Sequence, residues 1–246
     1  MPHAPKRIIL VTGGSRGIGA EVAQQLASPD THVIVNYREK AKRAETIAEA
    51  IRTAGGNAST LGADISDAAA AAAMIGTIAA RFGRLDALIL NASGGLELGA
   101  DPGYAMRLNR DAQRRLALLA MPLIPAGGRI VFVTSHQAHF FPNKAVPMGY
   151  SAVAASKRAG ETALHMMRSQ FDRAGIRLSV VSGDMIDGTI IVRLLHRRDP
   201  EAVEARRTVE PLPTIGQFAT AIANAVTTPM PSSIVFVGGA DDLATA

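Results

Sequence analysis

The chain contains no cysteine and no tryptophan, and aromatic residues make up only 4% of its 246 positions. Without cysteine there is no disulfide framework, no thiol nucleophile, no thiolate-held zinc and no iron–sulfur cluster. The scarcity of aromatics leaves no basic stripe interleaved with stacking rings, so no nucleic-acid partner is expected. Long apolar runs are also missing. The stretches at 129–134 and 178–181 have strand length, well short of the roughly 20 residues a spanning helix needs, so no membrane partner is expected either. The first seven residues lead into an apolar run of four, too short for a signal-peptide core, and with the missing cysteine this places the protein in the cytoplasm as an expectation. What is present is 48% hydrophobic residues and a net charge of +5, enough apolar material for one substantial core under a basic surface. That charge admits two readings, an anionic partner or an ordinary solvated surface.

Short β-branched runs at 8–11, 33–36, 58–61, 87–90, 129–134, 178–181 and 234–237 read as strands. They are almost continuously apolar, which suits a sheet covered on both faces. Between them lie helical stretches at 17–27, 41–54, 67–82, 104–120, 152–174 and 216–227. Strand and helix in alternation predict a doubly wound parallel α/β sheet of about seven strands with helices on both faces. Gly55-Gly56 and Gly127-Gly128 punctuate it, and Ser66-Asp67 stands ready to cap the helix holding six consecutive alanines. No repeat or linker divides residues 1–246, so one domain is expected.

The first strand runs straight into Thr12-Gly13-Gly14-Ser15-Arg16-Gly17-Ile18-Gly19, and a helix opens at Gly17. Gly13 permits a tight turn, Gly17 lets a pyrophosphate approach the backbone, and Gly19 lets the helix pack closely. The helix N-terminus then offers unpaired N–H groups to phosphate. The spacing is Gly-x-x-x-Gly-x-Gly, and with Thr12 before it the chain resembles the short-chain dehydrogenase/reductase family over roughly residues 7–239. That resemblance implies a single Rossmann-type domain binding a nicotinamide dinucleotide.

The second strand ends Asn36-Tyr37-Arg38, where a dinucleotide fold that selects against a 2′-phosphate carries an acidic residue. Arg38 and Arg16 can instead grip that phosphate as a fork, so NADP(H) is expected over NAD(H). By resemblance Asp64 and Ile65 hold the adenine. Asn91-Ala92-Ser93 stands where the family shows Asn-Ala-Gly and is assigned to the cofactor crevice, and Gly183 matches the glycine after the sixth strand.

Carbonyl–alcohol interconversion by hydride transfer needs a proton donor and a means of tuning it. The family uses a Ser, a Tyr, a Lys that also binds the nicotinamide ribose, and an Asn holding a relay water. Ser135, Lys157 and Asn109 match three of these positions. The fourth departs from the pattern, because four residues before Lys157 stands Val153. Tyr150 lies seven before Lys157 and fifteen after Ser135, as though three residues had been inserted between Tyr and Lys. On a regular helix seven residues span roughly 10.5 Å of axis, against roughly 6 Å for four. Tyr150 is therefore the candidate acid, in a loop behind Pro147-Met148-Gly149. His136 and His139 are either further acids or plain loop residues.

A substrate lid is expected at about 184–210, with its mobile part at 190–208. Its basic residues, His196, Arg197, Arg198, Arg206 and Arg207, face an acidic substrate, a carrier protein or solvent. Thr189 falls two residues late for a family role, and Phe140-Phe141-Pro142 lines either a pocket or the core. Two functions follow: an NADP(H)-dependent oxidoreductase acting on a small carbonyl or alcohol, or a catalytically impaired relative that binds NADP(H) as an interaction protein. The resemblance also implies a homodimer or homotetramer, packed through the fourth and fifth helices, and Arg110, Arg114 and Arg115 make the fourth unusually basic. No metal is expected.

Overall fold

A computed structural model describes residues 6–96, 101, 103–147, 149–229 and 232–239; the first five residues and Met148 lie outside them. Seven strands form one parallel sheet in the order β3-β2-β1-β4-β5-β6-β7. They are β1 (Arg7–Val11), β2 (Thr31–Tyr37), β3 (Asn57–Gly62), β4 (Ala87–Leu90), β5 (Arg129–Ser135), β6 (Arg177–Gly183) and β7 (Ile234–Val237). Each contains or equals the apolar run that predicted it, and the additions are polar residues or glycine at the ends, which hydrophobic patterning does not register.

One face is covered by α1 (Gly17–Leu26), α2 (Ala41–Thr53) and α11 (Ile215–Thr227), the other by α3 (Ala68–Phe82), α5 (Gln113–Ala120), α7 (Ser151–His165) and α8 (Arg168–Arg173). Alternation along each strand divides the core accordingly. Ile9, Val11, Val33, Val35 and Ile89 face Val22, Ala48 and Phe218, while Leu10, Ile34, Leu88, Leu90 and Phe132 face Ile78, Leu116 and Phe171. Each such fully buried large side chain contributes about 1.5–3 kcal/mol. The alanine-rich α3 is capped by Asp67, whose carboxylate accepts from Ala70 N at 2.7 Å. Its neighbour Ser66 bonds to Asp64 instead.

Three stretches depart from expectation. The helix expected at 104–120 is α4 (Tyr104–Met106), a π-helical segment (Arg107–Ala112) and α5. The helix expected at 152–174 breaks at Met166-Met167 between α7 and α8. The expected mobile lid is two defined helices after β6, α9 (Ile190–Arg198) and α10 (Pro200–Val209); a single helical turn, α6 (His136–His139), follows β5. Thr189 caps α9, accepting from Val192 N, and Asp199 caps α10 with Pro200 at its first position, so local chemistry starts each helix. Among the described residues no helix is long and apolar enough to cross a membrane.

Chain order reverses between β1, which continues to β2, and β4, which continues to β5. The loops after these adjacent strands part in opposite directions and open a crevice at the carboxyl edge of the sheet.

Candidate active site

The crevice is held open by hydrogen bonds that the sequence does not advertise. Thr12, fully buried at the end of β1, donates its hydroxyl to Ile89 O at 3.0 Å and accepts from Asn91 N and Ala92 N at 3.0 and 3.1 Å. Asn91 returns the contact, its amide donating to Thr12 O at 2.9 Å. The two loops are thereby bolted together at their roots. A Cβ on Gly19 would stand 2.5 Å from Gly13 O and 2.6 Å from Asn91 Nδ2, so α1 sits where it does only because that position is glycine. Gly17 differs: its φ is +54° and nothing lies within 4 Å of where a Cβ would be. Open space above a left-handed backbone at a helix N-terminus fits a phosphate. Ser15 and Ile18 flank it, half-buried.

Asn36, expected to touch the cofactor, works from behind. Its amide donates to Leu61 O and Ala63 O at 3.2 and 3.1 Å, its Oδ1 accepts from Gly13 N at 3.4 Å, and its carbonyl accepts from Gly14 N at 2.9 Å. It fixes the glycine loop to β2 and the end of β3. The Tyr37 ring lies over Gly62, where a Cβ would meet it at 3.0 Å. Asp64 accepts from Ser66 N and Ser66 Oγ through a single oxygen, Oδ1, and Ile65 is buried in the core.

The two arginines have different surroundings. Arg16 is exposed at the N-cap of α1, and its side chain has no hydrogen-bond or ion-pair partner among the described residues. Arg38 pairs with Glu39 at 2.9 Å, and it also contacts the Tyr104 hydroxyl and stands 5.9 Å from that ring's centre.

At the carboxyl end of β5, Ser135 Oγ and the Tyr150 hydroxyl share a hydrogen bond of 3.2 Å. Tyr150 is not in a free loop. It is the N-cap of α7, its carbonyl accepting the first helical bond from Ala154 N, and it is 5% exposed. Burial raises its phenol pKa above the usual value and the Ser135 hydroxyl draws it back; Lys157 is not among the causes. Lys157 is enclosed by protein while keeping part of its surface accessible, and burial pulls its ammonium down to about 8. It has no hydrogen-bond or ion-pair partner among the described residues. Val153, where the family carries Tyr, is buried in an apolar cluster with Leu96, Tyr150, Met185, Val192 and Leu195. Through Val192 and Leu195, α9 of the expected lid thus shares one apolar cluster with Tyr150.

Asn109 lies in the π-helical segment, 1% exposed, donating to Gly94 O and Ser156 Oγ at 2.9 Å each. A Cβ on Gly160 would fall 2.1 Å from Asn109 O, so a glycine lets α7 press against this segment. Sequence reading missed Gln113, whose buried amide donates to Ala92 O at 2.9 Å and Leu108 O at 3.0 Å. It joins the π-helical segment to the crevice. The signal was a lone amide on an otherwise apolar helix face, four residues after Asn109.

Several other expectations resolve into structural roles. His136 is buried with both ring nitrogens engaged. Nε2 must donate to Gly238 O at 2.8 Å, which leaves Nδ1 to accept from Ser182 Oγ at 2.9 Å. It fastens β5 to the ends of β6 and β7. His139 lies 2.8 Å from the buried Glu161 carboxylate on α7. Gly183 leaves room for Phe218, 2.6 Å from where a Cβ would stand. Arg206 faces neither solvent nor a substrate: it pairs with the buried Asp184 at 2.5 Å and with Glu210 at 2.7 Å, while Arg207 pairs with Asp187 and Glu204. On the fourth helix Arg115 turns inward to the carbonyls of Ile65 and Ser66, and Arg110 pairs with Asp111. Ser93 is exposed at the crevice mouth, and Phe141 packs against the Tyr150 cluster.

Comparison with known proteins agrees with this architecture. The short chain dehydrogenase family model matches residues 7–199. A hydroxynaphthalene reductase of Aspergillus fumigatus is 32% identical over 72% of this chain and 65% of its own length. A 1-cyclohexenylcarbonyl-CoA reductase of Streptomyces collinus is 32% identical over 74% and 65%. The chain thus spans just under two thirds of these curated relatives. A crystal structure of a short chain dehydrogenase from Burkholderia cenocepacia, in complex with NADP, superposes with a TM-score of 0.79 at 27% identity, covering 95% of this chain and 96% of that one. The matched span, the sheet order and the glycine loop at the switch point agree: the chain belongs to the short-chain dehydrogenase/reductase family of oxidoreductases.

Proposed function

We propose that the protein is an NADP(H)-dependent reductase that interconverts a carbonyl and a secondary alcohol. The observation that carries this reading is the Ser135–Tyr150 hydrogen bond at the carboxyl edge of β5, beside the glycine-loop crevice. Bound NADPH supplies the hydride. The protein's own groups do the rest. The amides at the start of α1 receive the pyrophosphate over Gly17, and Arg16, with no partner of its own, closes on the 2′-phosphate. Asp64 and Ile65 hold the adenine, and Asn91, Ala92 and Ser93 line the crevice. Lys157 serves the nicotinamide ribose.

Ser135 orients the substrate oxygen and the Tyr150 hydroxyl delivers the proton to it. A phenol with a raised pKa holds that proton throughout the neutral range, as a donor must. Asn109 fixes the geometry behind them through Ser156 and Gly94. Leu96, Val153, Met185 and Val192 surround Tyr150 with apolar surface, which favours a carbonyl carried on an apolar body. The reductase names of the relatives and the NADP held by a solved neighbour support the same reading.

Val153 supports a second reading, a protein that binds NADP(H) with little turnover, because a buried valine stands four residues before Lys157, where the family carries its Tyr. Dissociation constants for NADPH and NADH test the cofactor assignment; tighter binding of NADH contradicts it. Turnover of NADPH against a panel of apolar ketones separates enzyme from binder.

A further inference from the structure

The positive charge left unexplained by the cofactor crevice gathers at the opposite edge of the sheet. Arg7, Arg129 and Arg177 are the first residues of β1, β5 and β6. Ile9, Ala87, Arg129 and Arg177 lie in one register row across β1, β4, β5 and β6, and Arg7 is two residues before Ile9. Residues in one row, or two apart along a strand, project from the same face. Three guanidiniums therefore leave the sheet on the α11 side. Beneath them is a cavity of about 250 Å³ lined by Arg7, Arg84, Asp86, Arg129, Val226 and the turn 125–128.

The one carboxylate lining the cavity among the described residues is already committed. Asp86 accepts from Ile8 N at 2.7 Å and pairs with Arg84. Arg7 donates to Val226 O at 3.3 Å, a neutral carbonyl at the end of α11. The side chains of Arg129 and Arg177 have no hydrogen-bond or ion-pair partner among the described residues. Burial, then the Arg177 and Arg7 charges, pull the Arg129 guanidinium below its ordinary pKa. A cavity lined by Arg7 and Arg129, with the Arg177 charge acting on Arg129 and no uncommitted carboxylate among the described residues, lacks a counter-charge.

We propose that this cavity is a binding site for a compact polyvalent oxyanion, a small molecule bearing phosphate or carboxylate groups, held by Arg7 and Arg129, with Arg177 beside Arg129 on the neighbouring strand. Guanidinium forks match both groups in bidentate geometry. The volume lies below the roughly 300–1,000 Å³ of sites for drug-sized ligands, so a dinucleotide does not fit. Arg129 and Ser135 are six residues apart on β5, roughly 20 Å, so the site is separate from the cofactor crevice.

The test is calorimetric titration of pyrophosphate and, separately, citrate into the full chain, in wild type and in Arg16→Ala, Arg129→Gln and Arg7→Gln variants. Pyrophosphate and citrate distinguish a phosphate site from a carboxylate site. The expected result is saturable binding of at least one anion that survives Arg16→Ala and weakens at least about tenfold in Arg129→Gln, since a charge-assisted hydrogen bond contributes about 1.5–3 kcal/mol. Arg7→Gln carries the same expectation if Arg129→Gln does not fold. No saturable binding of either anion overturns the proposal, as does binding that Arg16→Ala abolishes or that the cavity variants leave unchanged.

Discussion

Ser135 Oγ and the Tyr150 hydroxyl stand 3.2 Å apart, although fifteen residues separate them and the intervening chain includes a helical turn and a Pro-Gly loop. Tyr150 at the N-cap of α7, seven residues before Lys157, keeps the Ser135 hydroxyl as its partner. Ser135→Ala removes that partner and leaves the buried phenol with desolvation alone. The expected result is a kcat lower by about 10²-fold with little change in the NADPH dissociation constant, measured by steady-state kinetics and fluorescence titration.

Lys157 gives the protein a pH signature. Its folded pKa, about 8, lies below the ordinary 10.5, so between these values the unfolded chain binds the proton that the native state has released. Stability therefore rises as pH climbs from about 8 towards 10.5, and below 8 the buried charge is a standing penalty. Chemical denaturation of the cofactor-free protein at pH 7, 8 and 9.5 should show this rise, and Lys157→Met should remove it. In the free enzyme, kcat/KM for NADPH should fall above pH 8 as the cation is lost.

Arg16 has no protein partner, whereas Arg38 is already engaged by Glu39 and Tyr104. Arg16→Ala should weaken NADPH about 10–100-fold, the equivalent of one charge-assisted phosphate contact, and leave NADH within about twofold. Competitive titration of the two nucleotides measures it. Equal losses for both would mean that Arg16 serves the pyrophosphate instead.

Arg206 ties the lid helix α10 to Asp184 at the end of the sheet. Arg206→Met should cost about 3–5 kcal/mol in urea unfolding by stranding a buried carboxylate. The double variant Asp184→Leu with Arg206→Met should recover most of that loss, since the pair's desolvation cost goes with it.

The strands and the glycine loop were legible because their determinants are local: an apolar run makes a strand, and glycines at set intervals after it make a phosphate loop. Ser135 and Lys157 were legible by position. What escaped depends on partners distant in sequence. Asn36 is a strand-end polar residue until Gly13, Leu61 and Ala63 surround it, and only the fold places them there. Arg206 looks like a solvated lid charge until β6 brings Asp184 beneath it. Tyr150 could be assigned to a loop because Pro147 and Gly149 precede it, but its capping of α7 rests on a backbone bond to Ala154.

The account's central claim is that Tyr150, displaced as it is, delivers the proton. Its most direct test is the kcat of Tyr150→Phe against wild type for NADPH-dependent reduction of an apolar ketone, with NADPH binding measured in parallel. A loss of about 10²–10⁴-fold with binding intact is the predicted result, the range for a positioned general acid. A variant that turns over as fast as wild type would contradict it.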